Sequence, residues 1–208
     1  VEAGVVPEGV LSLVCGSARD LLDYVEWSDV VAFTGGEETA TRIRNHPRVL
    51  EVNPAVNLEA DSLNAMVLVP GLKDVTYDAF IRDVQQEMTQ KAGQKCTAVR
   101  RIFVPDSMLE EVIEDLQERL ARTVVGDPSL PGVHMGPLAN EAQGRAAREG
   151  IAKLLEETSV VYGDPKGAGL EGVAEGPGCF VTPLLLMVND PDQCTLVHQL
   201  EVFGPVAT

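Results

Sequence analysis

Positive charge is scarce in this sequence. Sixteen Lys and Arg face 32 Asp and Glu, for a net charge of -16. Nucleic-acid binding needs a basic footprint, so that class is excluded. An anionic membrane surface is disfavoured on the same ground, and the acidity otherwise serves solubility. No apolar run approaches about 20 residues, so no transmembrane helix is expected. Paired metal ligands are missing as well. Cys15, Cys96, Cys179 and Cys194 form no C-x-x-C pair, and His46, His134 and His198 are scattered. Neither a zinc site nor a disulfide framework is expected. Reduced thiols in a cytoplasmic protein are the simpler reading. The first residues, "VEAGVVPEGV", carry neither Met nor a signal-peptide pattern and read as the interior of a longer chain. Internal repeats are absent.

What is present suffices for a sizeable core, with 45% hydrophobic residues over 208 positions. "LSLVCG" (11–16) reads as a short buried strand and "ARDLLDYV" as helical. "DVVAFTGG" (29–36) is an apolar, partly β-branched strand closed by Gly35 and Gly36. A helix follows from Glu37 to Asn45 and ends at Pro47, and "RVLEV" reads as the next strand. "NAMVLVPG" is a strand, and Val75 to Lys91 has helical spacing through Phe80, Val84 and Met88. "AVRRIFVP" is a strand. In "SMLEEVIEDLQERLAR", Ser107 and Glu110 fit a capping box, and Leu109, Val112, Ile113, Leu116 and Leu120 form a core stripe. Asn140 with Gln143 opens a helix to about Glu157. "SVVYG", a flexible loop over 163–178 and the strand "CFVTPLLLMV" complete the pattern. Alternating strands and helices predict an α/β fold with parallel-sheet layers and helices on both faces.

Cys96 sits in "QKAGQKCTAVRR", in the turn between a helix and a buried strand. Gly93 would let the backbone bend and a ligand come close. A thiolate is a strong nucleophile when a cation or backbone dipoles lower its pKa, and Lys95 is adjacent. From composition alone a small buried cysteine filling a gap is the preferred reading of Cys96, since buried cysteines outnumber catalytic ones. A hydrolase reading needs a histidine base, for which His134 and His198 are the candidates. Glu59 in "NLEADSLN" follows an apolar strand, where partial desolvation would raise its pKa towards that of a general base. A solvated loop carboxylate is the other reading. Gly35 and Gly36 serve an ordinary turn, and Phe203 serves the core, unless a motif says otherwise.

In order along the chain stand "VVAFTGG", "NLEAD", "GQKCTAVRR", "VGDPSLPGVHMGPLAN", "GCFVTPLLL" and "LEVFGPV". Together they resemble the F-T-G-S, E-L-G-G, G-Q-x-C, V-G-D-P…M-G-P-L, G-x-F-x-x-P-T and E-E-x-F-G-P segments of the aldehyde dehydrogenase superfamily. "EADSLN" departs from E-L-G-G in a way that resembles one branch. That branch oxidises a ring-opened, coenzyme A-linked semialdehyde in bacterial phenylacetate breakdown. The resemblance implies NAD or NADP as cofactor and a small-molecule aldehyde as substrate. It implies Cys96 as nucleophile, with its backbone N–H as an oxyanion donor, and Glu59 as the base that releases the acid. Glu201 would bind the nicotinamide ribose, Phe203 would lie by the nicotinamide, and Gly35 and Gly36 would let a turn meet the cofactor. Gly36 stands where the family has Ser, and Ala40 stands at a later small position usually held by Gly.

The family's members are longer. The resemblance therefore implies that residues 1–60 are the C-terminal part of a Rossmann-like NAD(P)-binding domain. Residues 61–208 would be a catalytic domain incomplete at its C-terminal end. The parent chain would be a homo-oligomer, and a chain of this extent is expected to show little or no activity by itself. Two alternatives stand beside this reading. One is a relative that passes the thioester to coenzyme A, although such relatives usually lack the base glutamate. The other is a non-catalytic binding or scaffold module, although Cys96, Glu59 and Glu201 are all present.

Overall fold

A computed structural model describes residues 5–71, 74–167, 169–173, 178–188 and 190–208. Part of the loop expected over 163–178 lies outside these residues. The chain divides into two compact units, Val1–Asp61 and Ser62–Thr208. Among the described residues, no helix is long and apolar enough to cross a membrane.

In the first unit, strands β1 (Val30–Gly35) and β2 (Ala55–Ala60) pair in parallel, with Thr34 opposite Glu59. A parallel pair needs a crossover, and helices α1 (Glu37–Arg44) and α2 (Pro47–Val52) supply it. Ala40, Ile43 and Val49 are their buried side chains. Here the sequence reading fails twice. "RVLEV" is helical, because Pro47 occupies the first turn of α2, where its fixed φ suits the helix and its missing N–H is not needed. "LSLVCG" is not a strand. Residues 11–15 find no ladder partner among the described residues, and Leu13 is 88% exposed. "ARDLLDYV" yields only a short 3-10 turn, Leu21–Tyr24.

The second unit carries strands β3 (Asn64–Val67) and β4 (Val99–Phe103), paired in parallel. Helix α3 (Asp74–Thr89) connects them. Helices α4 (Leu109–Ala121) and α5 (Glu141–Leu154) follow, then strands β5 (Ser159–Tyr162), β6 (Leu184–Met187) and β7 (Val206–Ala207). β7 pairs with β6 in parallel. On its other side, Thr208 accepts from Ile102 N at 2.8 Å and donates to Arg100 O at 2.9 Å, the bonding of a parallel neighbour. β5 departs from the expected pattern by running antiparallel to β6. No described helix intervenes between them, and an antiparallel neighbour needs no crossover.

Both faces of this sheet are covered. Leu184, Leu186 and Val206 cluster with Ala147, Ile151 and Leu154 of α5. Leu185 and Ala207 cluster with Phe80, Ile81, Val84 and Met88 of α3 and with Val112, Leu116 and Leu120 of α4. A strand buried on both faces reads as a continuous apolar run, as "LLLM" does. Three members of the α4 stripe are buried as expected, but the capping box is not made. The chain instead enters α4 through a 3-10 turn, Asp106–Met108, and no side chain caps the helix. For α5 the expected cap forms, with Asn140 Oδ1 accepting from Gln143 N at 3.0 Å.

Candidate active site

The loop carrying Cys96 is built under strain. After α3 the chain turns through Gln90–Gly93, where Lys91, Ala92 and Gly93 have φ of 54°, 54° and 70°. Each non-glycine residue in this left-handed region costs about 1 kcal/mol or more, and such strain persists only where surroundings enforce it. Ala92 is enforced by burial in the α5-side apolar cluster. Gly93 is enforced by close approach, because a Cβ there would lie 2.2 Å from the Gly204 carbonyl oxygen. The space expected for a ligand at Gly93 is thus filled by the chain's own backbone. Gly93→Ala is expected to lower the free energy of unfolding by about 2–4 kcal/mol, since it adds both strain and a backbone clash. Urea unfolding monitored by circular dichroism measures this loss, and a midpoint shared with the parent would contradict it.

Beyond the turn, Gln94 Oε1 accepts from Ala139 N at 2.8 Å and ties the loop to "MGPLAN". The Lys95 ammonium is bound to Glu87 Oε1 at 2.7 Å and Gln90 Oε1 at 2.9 Å, so it is engaged with α3. Cys96 is exposed, unlike a gap-filling cysteine. Its carbonyl accepts from Ser62 Oγ at 2.7 Å and from Asn64 Nδ2 at 2.7 Å. Among the described residues, no group accepts its backbone N–H. Neither histidine serves Cys96. His134 Nδ1 accepts from Val124 N, and His198 faces Arg101 and the Pro191 carbonyl.

A buried ion pair lies behind this loop. Arg100 of β4 is 4% exposed. Its Nη1 donates to Gly204 O at 2.7 Å, and its Nη2 donates to Gly93 O at 2.8 Å and to Glu201 Oε1 at 3.4 Å. Burial pulls the Arg100 pKa below its ordinary value, and the Glu201 carboxylate works against that shift. Arginine stays charged in such settings. Glu201 Oε2 accepts from Ser62 N at 3.0 Å. The Phe203 ring lies with its centroid 5.7 Å from the Arg100 guanidinium carbon and is 39% exposed, so it is only partly a packing residue. Cys96, Glu201 and Phe203 are therefore brought together through Ser62, Asn64 and Arg100. None of these three connectors was singled out from the sequence. A signal was available for Arg100, because an arginine inside a strand that reads as buried needs a partner.

Gly35, Gly36 and Glu59 lie in the first unit, at the C-terminal ends of the parallel pair β1 and β2. Ligands of open α/β sheets gather at such ends. A Cβ on Gly35 would lie 2.5 Å from the Phe33 ring. Gly36 precedes α1 with φ of -76°, a conformation open to any residue. The N–H of Glu37 donates to Asp61 Oδ1 at 3.2 Å, so the start of α1 already faces a carboxylate. Glu59 is exposed, against the expectation of partial desolvation. It is the penultimate residue of β2.

The fold is that of the aldehyde dehydrogenases. A succinic semialdehyde dehydrogenase from Streptococcus pyogenes, solved with NADP+, superimposes with a TM-score of 0.74 at 23% identity. That match covers 92% of this chain and 40% of the other. A mutant of aldehyde dehydrogenase C from Pseudomonas syringae, solved with NAD+ and octanal, gives 0.72 at 24% identity, over 86% and 35%. The pattern of the aldehyde dehydrogenase family matches residues 1–208, and the chain belongs to that family. A 3,4-dehydroadipyl-CoA semialdehyde dehydrogenase from Aromatoleum evansii is 45% identical over 211 aligned residues. The match takes in 100% of this chain and 41% of that protein. The chain thus spans about two fifths of the length of this curated relative.

Proposed function

We propose that the protein containing this chain oxidises an aldehyde to a carboxylic acid, with Cys96 as the nucleophile and NAD or NADP as the hydride acceptor. Residues 1–60 would form the end of the cofactor-binding domain and residues 61–208 most of the catalytic domain. The observation that carries the reading is the exposed Cys96 on a strained loop, tied through Ser62 to the partly buried Glu201. The residues present suit a nicotinamide cofactor. A carboxylate can accept about four hydrogen bonds, and Glu201 uses two, leaving capacity for ribose hydroxyls. The exposed part of the Phe203 ring offers an apolar face beside it.

The Cys96 thiolate adds to the aldehyde carbonyl and forms a carbon–sulfur bond. The backbone N–H of Cys96, which finds no acceptor among the described residues, would donate to the resulting oxyanion. The cofactor, which Glu201 and Phe203 would hold, would supply the acceptor for a hydride. Cys96 would then carry the acyl group as a thioester. Glu59 then takes a proton from water, which attacks the thioester, releases the acid and restores the thiol. The substrate would be a coenzyme A-linked semialdehyde from aromatic-ring breakdown, as in phenylacetate catabolism. The name of the relative from Aromatoleum evansii gives a coenzyme A-linked semialdehyde, which supports that part of the choice.

The test is nicotinamide reduction by the full-length protein on a panel of aldehydes that includes a coenzyme A-linked semialdehyde. Reduction without added coenzyme A, with release of free acid, is expected. Strict dependence on free coenzyme A would favour the acylating alternative, and silence on every aldehyde would sink the proposal. Glu59→Gln is expected to give a burst of about one reduced cofactor per site and then a steady rate lower by about 10²–10⁴-fold. Stopped-flow absorbance reads both phases. An unchanged steady rate would remove Glu59 from acid release.

A further inference from the structure

We infer that Ser62 and Asn64 are positioning residues that hold the Cys96 loop and set the reactivity of its thiol. This rests on the reading of Cys96 as the nucleophile. Asn64 opens β3, where the pairing with β4 slips: Asn64 faces Val99, but Ala65 faces Arg101. Such irregularities re-aim a side chain. Here Asn64 Nδ2 lies 2.7 Å from the Cys96 carbonyl, 3.1 Å from the Ala98 carbonyl and 3.3 Å from Ser62 Oγ. Backbone carbonyls only accept, so the amide nitrogen, not its oxygen, faces them. One side chain thus spans the short segment that begins at the nucleophile. Ser62 adds the second donor to the Cys96 carbonyl at 2.7 Å, while its N–H holds Glu201 at 3.0 Å.

The peptide unit is planar, so holding the Cys96 carbonyl fixes the plane of the bond to Thr97 and with it the direction of the Cys96 side chain. "DSLN" is therefore the seat of a clamp on the nucleophile.

The experiment uses the full-length protein with Ser62→Ala, Ser62→Thr, Asn64→Asp and Cys96→Ala. Asn64→Asp keeps the shape but replaces the donor by an acceptor. Alkylation of Cys96 by iodoacetamide is followed across pH, by mass spectrometry of the peptide that bears it, beside kcat and KM. Ser62→Ala and Asn64→Asp are expected to slow alkylation at every pH. Their kcat is expected to fall by about 10- to 100-fold with aldehyde KM nearly unchanged, the pattern of a misplaced reacting group. Ser62→Thr, which keeps the hydroxyl, is expected to behave as the parent. Parent-like alkylation and kcat in Ser62→Ala and Asn64→Asp, with Cys96→Ala inactive, would overturn the clamp and leave the nucleophile reading intact. Faster alkylation in Ser62→Ala would overturn it too, since releasing an activating clamp brings no gain. Turnover that survives Cys96→Ala would instead sink the underlying reading.

Discussion

Cys96→Ala in the full-length protein is expected to lower kcat for aldehyde oxidation by on the order of 10⁴-fold or more, the scale seen when a covalent nucleophile is removed. Cofactor binding should survive, because the contacts assigned to it belong to Glu201 and Phe203. Stability should survive as well. Cys96 is exposed, its contacts run through its carbonyl, and exposed substitutions away from special features usually stay within about 0.5 kcal/mol. The combination discriminates: a folded, cofactor-binding, inactive protein is the signature of a lost nucleophile. Measuring nicotinamide reduction, cofactor titration and urea unfolding on one preparation separates these outcomes. If Cys96→Ala turns over at the parent's rate, Cys96 is an ordinary loop residue and the proposed chemistry has no nucleophile.

The second large effect lies behind the loop. Arg100→Met is expected to destabilise the protein by about 3–5 kcal/mol, the usual cost of leaving a buried partner charge uncompensated. The Glu201 carboxylate would keep only the Ser62 amide, and the carbonyls of Gly93 and Gly204 would lose their donor. KM for the cofactor should rise, because Glu201 would no longer be held. Arg100→Lys should recover only part of the loss, since one ammonium cannot reproduce a planar fork that meets three acceptors. Adding Glu201→Gln to Arg100→Met removes the stranded charge and should return part of the stability, a coupling that a double-mutant cycle reads directly. Equal unfolding midpoints for the parent and Arg100→Met would show that the pair contributes nothing.

Much of the fold was legible because its signals are local. The α4 stripe, the Asn140 cap and the apolar run of β6 each depend on neighbours a few positions apart. The errors fell where local signals are ambiguous. "RVLEV" has strand composition, and only the role of Pro47 as a helix opener decides against it. "LSLVCG" has strand character but no partner, and a strand is made by its ladder as much as by its residues. The antiparallel β5 depends on how the chain returns across the sheet, which periodicity does not encode. The site shows the same division. Cys96, Glu59, Glu201 and Phe203 stand in motifs that sequence order reveals. Arg100 meets Glu201 across 101 positions, and Ser62 meets Cys96 across 34, so their roles are defined only by the fold. The exposure of Glu59 was misjudged because strand residues alternate in environment, and an apolar neighbour does not bury a side chain.

The strained turn at Lys91–Gly93 also carries a consequence in time. Its left-handed residues are held by the Gly204 backbone and by Arg100, which reaches Gly204 across 104 positions. Closing such a distant contact comes late for a growing or refolding chain, after helices such as α3 have formed from local contacts. Until then the turn has only its nearer supports, such as the Arg100 bond to the Gly93 carbonyl seven positions away. The loop of Cys96 is therefore expected to take its final shape only when the Gly204 segment has docked.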